Sequence, residues 1–363
     1  MKAVIRLVVL VLVSLLVASG ARTVVAVAST TATAARAVPE TGQSLVHLPL
    51  IGQGYLLFND AVSAFEPAAS SGLFDRAFDA TPDPEGDLIY FTATSAQGVG
   101  IFRVPALGGA VTPISVGVAL TLPTGLVISN SGETLFVADS EVEIAHDDGA
   151  MRSSAEMLPS HNEGAIFRLP AGGGTATLVA GTEHTTPRGL EIVQQNGTET
   201  LYFTGIDPLD DQPAVMKVAA GGGPVTLIAK GPPLVEPVGV TVDANGVVYV
   251  TDQAAGGNGL GRVFRIAAGN VETLAAHVRT GDPAGVALTL DESLLLVSAL
   301  EPNQDSSMVL VIDLAKGRQG VVNQVIGANI GSGGLHRAHG RNLMAWCGIT
   351  AGGGGVVYRV ELN

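Results

Sequence analysis

The strongest constraint on this chain is a short sequence pattern written six times between Leu88 and the C-terminus. Its clearest copy runs from Pro237 to Ala275. It opens Pro237-Val238-Gly239-Val240, turns at Asn245-Gly246, and continues as the apolar run Val247-Val248-Tyr249-Val250. A loop, then Arg262-Val263-Phe264-Arg265-Ile266, a Gly-containing turn and Val271-Glu272-Thr273-Leu274 complete it. Each copy thus predicts four short strands bounded by turn residues. The Asn-Gly pair is a strong hairpin signal because both residues accept positive φ.

Tyr90, Phe136, Tyr202, Tyr249, Leu296 and Ala345 fall in register in the second strands, at steps of 46, 66, 47, 47 and 49 residues. The third strands align Arg103, Arg168, Lys217, Arg265, Val311 and Arg359. A period in the forties with four strands per copy is the signature of propeller blades. The fold class expected is all-β: a six-bladed β-propeller of four-stranded antiparallel blades. The long step accommodates an insertion loop at 139–164. The second strands, such as Leu294-Leu295-Leu296-Val297, are continuously apolar. Blades packed face to face bury both surfaces, which removes the usual alternation.

The last copy shows three strands before the chain stops at Asn363. Unpaired strand edges are costly, so an N-terminal strand is expected to close the last blade. The strand-like segment 44–59 is the expected donor, and the propeller is assigned to 44–363. Before it, Met1, Lys2 and Arg6 precede an apolar run from Leu7 to Ala18, with Ala26-Val27-Ala28 as a cleavage site. Residues 1–28 are expected to be a signal peptide and 29–43 a Thr/Ala/Ser-rich linker. The protein is therefore expected to be secreted or periplasmic, monomeric, and without a membrane span after signal cleavage.

Removing three basic residues with the signal leaves 33 acidic against 16 basic residues, a net charge of −17. Such a field repels phosphate backbones and argues against nucleic acid as a partner. Cys347 is the single cysteine, which excludes an intrachain disulfide and a thiolate metal cluster. Its place in an apolar strand predicts a buried, inert thiol. The Gly clusters at 108–109, 172–174 and 221–223 read as hairpin turns rather than phosphate cradles, since no helix follows them. No G-x-S-x-G, H-E-x-x-H or C-x-x-C pattern occurs. The aligned basic residues of the third strands are expected to lay their stems over apolar blade faces and pair with local carboxylates.

The Pro-x-Gly openings and the Tyr-Val-Thr-Asp end of the second strand, Tyr249 to Asp252, resemble NHL-repeat propellers. They also resemble the superfamily of senescence marker protein, gluconolactonase and strictosidine synthase. The likeness covers residues 75 to 363 as repeat pattern and implies the fold. In the lactonase branch it implies a divalent cation at the mouth of the axial channel. The ligands there are a Glu at the start of the first blade and Asn or Asp before the opening Gly of later blades. The matching positions here are Thr124, Arg188, Val238, Ala284 and Gly333, and the first-blade stretch from Asp75 to Asp79 holds no Glu. Calcium requires six to eight oxygens, so this set argues against lactonase chemistry.

Two candidate sites follow. Thr124, Arg188 and His336 are expected at the channel mouth, where they would suit an anionic small molecule. Asp139, Asp147, Asp148, Asp207, Asp211 and Asp252 are expected on one loop face, as a field for a cation or a basic protein partner. No cofactor or metal is assigned beyond weakly held Ca2+ on that acidic face. The function expected is binding of an unidentified small molecule or protein through the loop face and channel mouth, without catalysis. The alternatives are a lactonase- or esterase-type hydrolase with a non-standard site, and a structural envelope module.

Overall fold

A computed structural model of the chain describes residues 56–58 and 61–363, apart from 71, 118–119, 143–162, 196, 282, 302–306, 323–328 and 351–352. Among the described residues the strands form six sheets, five of four strands and one of five. The protein is a six-bladed β-propeller. The first strands of the blades are Arg76–Pro82, Pro123–Ile128, Leu190–Gln195, Pro237–Val242, Val286–Leu288 and Asn329–Arg337. They neighbour one another in ring order, the sixth returning to the first, and so line the axis. No helix among the described residues is long and apolar enough to cross a membrane.

The register inferred from the repeat is the register of the sheets. Tyr90 pairs with Arg103, Phe136 with Arg168, and Tyr202 with Lys217. Tyr249 pairs with Arg265, Leu296 with Val311, and Ala345 with Arg359. The basic heads act locally: Lys217 Nζ lies 5.6 Å from the Tyr202 ring centre, Arg265 meets Glu272 at 3.3 Å, and Arg359 contacts Glu66 and Glu361. An aliphatic stem covering a neighbouring ring while its charge stays at the rim is the expected behaviour of long basic side chains.

Apolar burial occurs between blades. Phe74, Phe91 and Phe102 of the first blade pack with Ala345, Cys347 and Val357 of the sixth. Corresponding clusters fill the other five blade interfaces. Each second strand is thus buried on both faces, as its uninterrupted apolar sequence requires.

The ring does not close with the segment anticipated. Val62–Ser70 is the outer strand of the sixth blade and pairs antiparallel with Gly355–Leu362. Within 44–59, Leu56–Leu57 instead adds in parallel to Arg318–Val322 at the outer edge of the fifth blade. The other residues of that segment, except 58, lie outside the described part. The reason for the shift is visible in the sequence: Val62–Ser70 carries Glu66 and Pro67 and does not look like a strand. It is an outermost strand, where a missing N–H and a charge are tolerated. Phe65 anchors it, with its ring centre 5.4 Å from Trp346 and 4.9 Å from Tyr358.

The loop expected before Arg262 is shorter than the sequence suggests. The second strand of the fourth blade runs on to Gly257, and the hairpin turns at Asn258-Gly259, both at positive φ. This is the behaviour that Asn-Gly turns allow.

Candidate functional site: the axial channel

Two residues after the aromatic register position, the second strands place a small polar side chain beside the axis: Thr92, Thr204, Thr251 and Ser298. Each accepts the N–H of the residue that opens its own blade: Asp79 (3.2 Å), Gly189 (2.9 Å), Gly239 (2.9 Å) and Gly285 (2.6 Å). Thr204 donates onward to Val238 O at 2.5 Å, and Thr251 to Ala284 O at 2.9 Å. The Thr204 and Thr251 hydroxyls therefore tie the third blade to the fourth and the fourth to the fifth, while Ser298 donates back to Gly285 O of its own blade. In the second blade this place is Ala138, and Ser140 takes over by donating to Pro187 O at 2.7 Å. In the sixth it is Cys347, wholly buried, with Sγ 3.9 Å from Gly334 O. Burial and the nearby Asp79 carboxylate push the Cys347 thiol well above its ordinary pKa. It is a packing residue and a weak donor, not a nucleophile.

The opening glycines are required by close approach. A Cβ on Gly239 would overlap Ala284 O and lie 2.6 Å from Thr251 Oγ1; one on Gly285 would overlap the backbone of Leu335. In the first blade the corresponding residue is Asp79. Its carboxylate fills the space against Gly334, where any side chain would collide with it. Asp79 Oδ1 accepts Ala80 N–H at 2.9 Å, and Oδ2 accepts Leu126 N–H of the second blade at 2.7 Å. His336 Nε2 of the sixth blade stands 3.0 Å from the same Oδ2. Three blades meet at one buried carboxylate. Burial works against a charged His336, but Asp79 and, more weakly, Glu191 outweigh it and hold the imidazole above its ordinary pKa.

Around this clasp the channel narrows to a cavity of about 10 Å³, lined by Asp79, Thr124, His336 and the opening glycines among others. That is room for roughly one water. Thr124 and His336 both line this cavity, and Arg188 does not. Thr124 Oγ1 lies 2.8 Å from Ser140 Oγ and 3.1 Å from Arg188 O. The Arg188 guanidinium turns away, donating to Glu236 Oε1 at 2.6 Å. Burial opposes the Glu236 charge, yet Arg188 holds its carboxyl below the usual range. Thr124 Oγ1, Arg188 Nη1 and His336 Nε2 are each engaged with protein groups.

The acidic loop residues divide. Asp139 and Asp252 are fully buried. Asp139 accepts N–H bonds from Thr121 (2.7 Å) and Leu122 (2.9 Å). Asp252 accepts from Val235 (2.8 Å), Glu236 (3.1 Å) and Ala255 (2.9 Å). Each ties the strand end to the connection entering its own blade, and this explains the Asp that closes Tyr-Val-Thr-Asp. Asp207 is buried and bonded to Lys230 Nζ at 2.7 Å, which holds its carboxyl below the ordinary value. Asp211 sits at φ 58° with its N–H on Asp207 O. Asp147 and Asp148 lie outside the described residues. Among the described residues no three His, Cys, Asp or Glu side chains converge as a metal would require.

At the other end of the first strands, beside the turns that lead into the second strands, the channel opens into a cavity of about 240 Å³. Five blades line it, supplying Asn130, Glu191, Thr241, Asp243, Glu292 and the pair Arg337 and His339. None of these residues stands out in the sequence as part of a site. The available signal was Glu191, a charge in the apolar first half of the strand Leu190–Gln195.

No known protein-family profile matches the sequence, and no curated protein matches it. Solved structures do. The chain is similar to a gluconolactonase, XC5397 from Xanthomonas campestris, at 14% identity and TM-score 0.55, covering 83% of this chain and 98% of that one. It is similar to a luciferin-regenerating enzyme at 12% identity and TM-score 0.53, covering 82% and 95%. It is also similar to a chain of a nidogen/laminin complex at 19% identity and TM-score 0.51, covering 68% and 79%. At such identities the likeness is one of fold, and it matches the gluconolactonase-like and NHL-type resemblance carried by the repeat.

Proposed function

We propose that this chain is an exported binding propeller that works through its axial channel and performs no hydrolysis. One observation carries the reading. The opening positions, from which a lactonase-type centre would be assembled, surround about 10 Å³ and are held by internal partners. The larger, polar cavity lies at the opposite end of the same channel. A calcium ion at the opening positions would need six to eight oxygens. Thr124, Val238, Ala284 and Gly333 offer one side-chain oxygen between them, and the Asp79 carboxylate is engaged by Leu126 N–H and His336. Binding sites are generally concave, with a few fixed polar groups among apolar ones. The second cavity has that form: Asn130, Glu191 and His339 beside Val242, Ala287 and Leu288. The acidic balance of the chain suits an exported, non-nucleic-acid-binding protein.

The test is turnover of a panel of lactones and p-nitrophenyl esters with added calcium or zinc, and again with chelator. The expected result is no turnover above the uncatalysed rate in either condition. Chelator-sensitive turnover that disappears in Asp79→Asn would establish the hydrolase instead.

A further inference from the structure

The 240 Å³ cavity is not merely polar; it is rich in acceptors and carries an excess of negative charge. Glu191 Oε1 accepts Ile192 N–H at 3.0 Å and Oε2 accepts the Thr241 hydroxyl at 3.0 Å. Asp243 Oδ1 accepts the N–H groups of Asn245 (2.9 Å) and Val247 (2.8 Å). Glu292 Oε1 accepts Ala244 N–H at 2.8 Å. Each carboxylate is thereby fixed in place, and each retains lone pairs, since an ionised carboxylate offers about four acceptor sites.

Arg337 offsets part of this charge, since Glu191 and Glu292 both favour its charged form, but one cation stands against three carboxylates. Arg337 spends Nε on Leu288 O (2.8 Å) and Nη1 on Ala338 O (2.6 Å) and His339 O (3.3 Å). It braces the strand ends rather than presenting a fork to a ligand. His339 Nδ1 is joined to Asn130 Oδ1. Burial lowers the His339 pKa, which keeps the ring neutral. An anion entering here would face three carboxylates with no free bidentate donor. A ligand that donates hydrogen bonds and carries positive charge meets complementary groups on several sides. Ile192, Val193, Val242, Ala287 and Leu288 supply apolar wall for short methylene segments.

We propose that this cavity binds a small protonated amine, with its ammonium among Glu191, Asp243 and Glu292 and its carbon chain against Val242 and Leu288. The volume is just under the ~300–1,000 Å³ of sites for drug-sized ligands, so the occupant is small. The assignment rests on the axial-binding reading above and names the ligand class of that site.

The experiment compares 1,5-diaminopentane with its neutral counterpart 1,5-pentanediol, by calorimetry and ligand-observed NMR on the purified full chain at low ionic strength. The diamine is expected to bind at least tenfold more tightly than the diol, and more weakly as salt is added. Glu292→Gln keeps the acceptor for Ala244 N–H while removing the charge, and is expected to weaken the diamine about tenfold, the size of one charge-assisted hydrogen bond. Glu191→Gln serves as the second variant, with melting temperature reporting that each is folded. Arg188→Met, at the far end of the channel, is expected to leave diamine affinity unchanged. Absence of diamine binding at millimolar concentration overturns the proposal. So does equal affinity for the diol, or an affinity that neither Gln variant alters. If a neutral or acidic probe binds instead and is lost in the Gln variants, the amine class falls while the axial-binding reading stands.

Discussion

Asp79 Oδ2 and His336 Nε2 lie 3.0 Å apart, and they join the first and last blades of the ring. The same oxygen accepts Leu126 N–H at 2.7 Å, so one carboxylate fastens three blades at the axis. Both side chains are buried. Removing one partner of a buried pair leaves an uncompensated charge, at a cost of about 3–5 kcal/mol. His336→Ala is expected to lower stability by that order in urea unfolding. His336→Gln, which can keep a donor facing Asp79, is expected to cost less.

The clasp also sets a pH dependence. Burial disfavours the charged imidazole, but Asp79 and Glu191 raise the His336 pKa above its ordinary value. A raised folded-state pKa contributes stability that is complete below the unfolded value of about 6.5. That contribution is lost as pH rises through the folded value. The gap in melting temperature between wild type and His336→Gln is therefore expected to be widest at pH 6 and below, and to shrink toward pH 9. A gap that widens with pH would mean that the neutral imidazole is the stabilising form.

Arg188 and Glu236 approach even more closely, at 2.6 Å, yet their side chains remain 32% and 37% exposed. Pairs in contact with water contribute roughly 0–1 kcal/mol. Arg188→Met is expected to change stability by less than about 1 kcal/mol. A loss as large as that for His336→Ala would show that the ion pair, not the buried clasp, holds the channel.

Gly239 and Gly246 separate crowding from backbone conformation. A methyl at Gly239 collides with the fifth blade at Ala284 O, whereas Gly246 has nothing within 4 Å and is constrained only by its φ of +78°. Gly246→Ala is expected to cost about 1 kcal/mol. Gly239→Ala must push two blades apart and is expected to cost several times more in thermal unfolding.

Much of the fold is legible in the sequence itself. The aromatic and basic register positions recur because a blade places them opposite each other, and Tyr249 against Arg265 is one such pair. Cys347 read as inert because its strand is apolar, and it is wholly buried. The site was less legible. Asp139 and Asp252 look like surface acids in sequence, but they cap backbone N–H groups inside the ring. That role depends on a loop folding back seventeen or eighteen residues away. Asp79 looks like part of an unremarkable stretch; its importance comes from blades met 47 and 257 residues later. The cavity around Glu191 draws on five blades, and no local pattern gathers residues from five repeats. The closing strand was assigned too early in the chain because Glu66 and Pro67 interrupt Val62–Ser70.

Every placement along the axis depends on the two ends of the chain sharing one sheet, with Ala64 opposite Glu361. Cα atoms facing each other across an antiparallel pair are about 4.5–5.5 Å apart, which a disulfide spans. The most direct measurement is oxidation of Ala64→Cys/Glu361→Cys in a Cys347→Ser background. The ring described here predicts an intramolecular cross-link in the native state, seen as faster migration on a non-reducing gel and a raised melting temperature. Two thiols that stay free under oxidising conditions in a folded protein would contradict the closure, and with it the assignment of the channel residues.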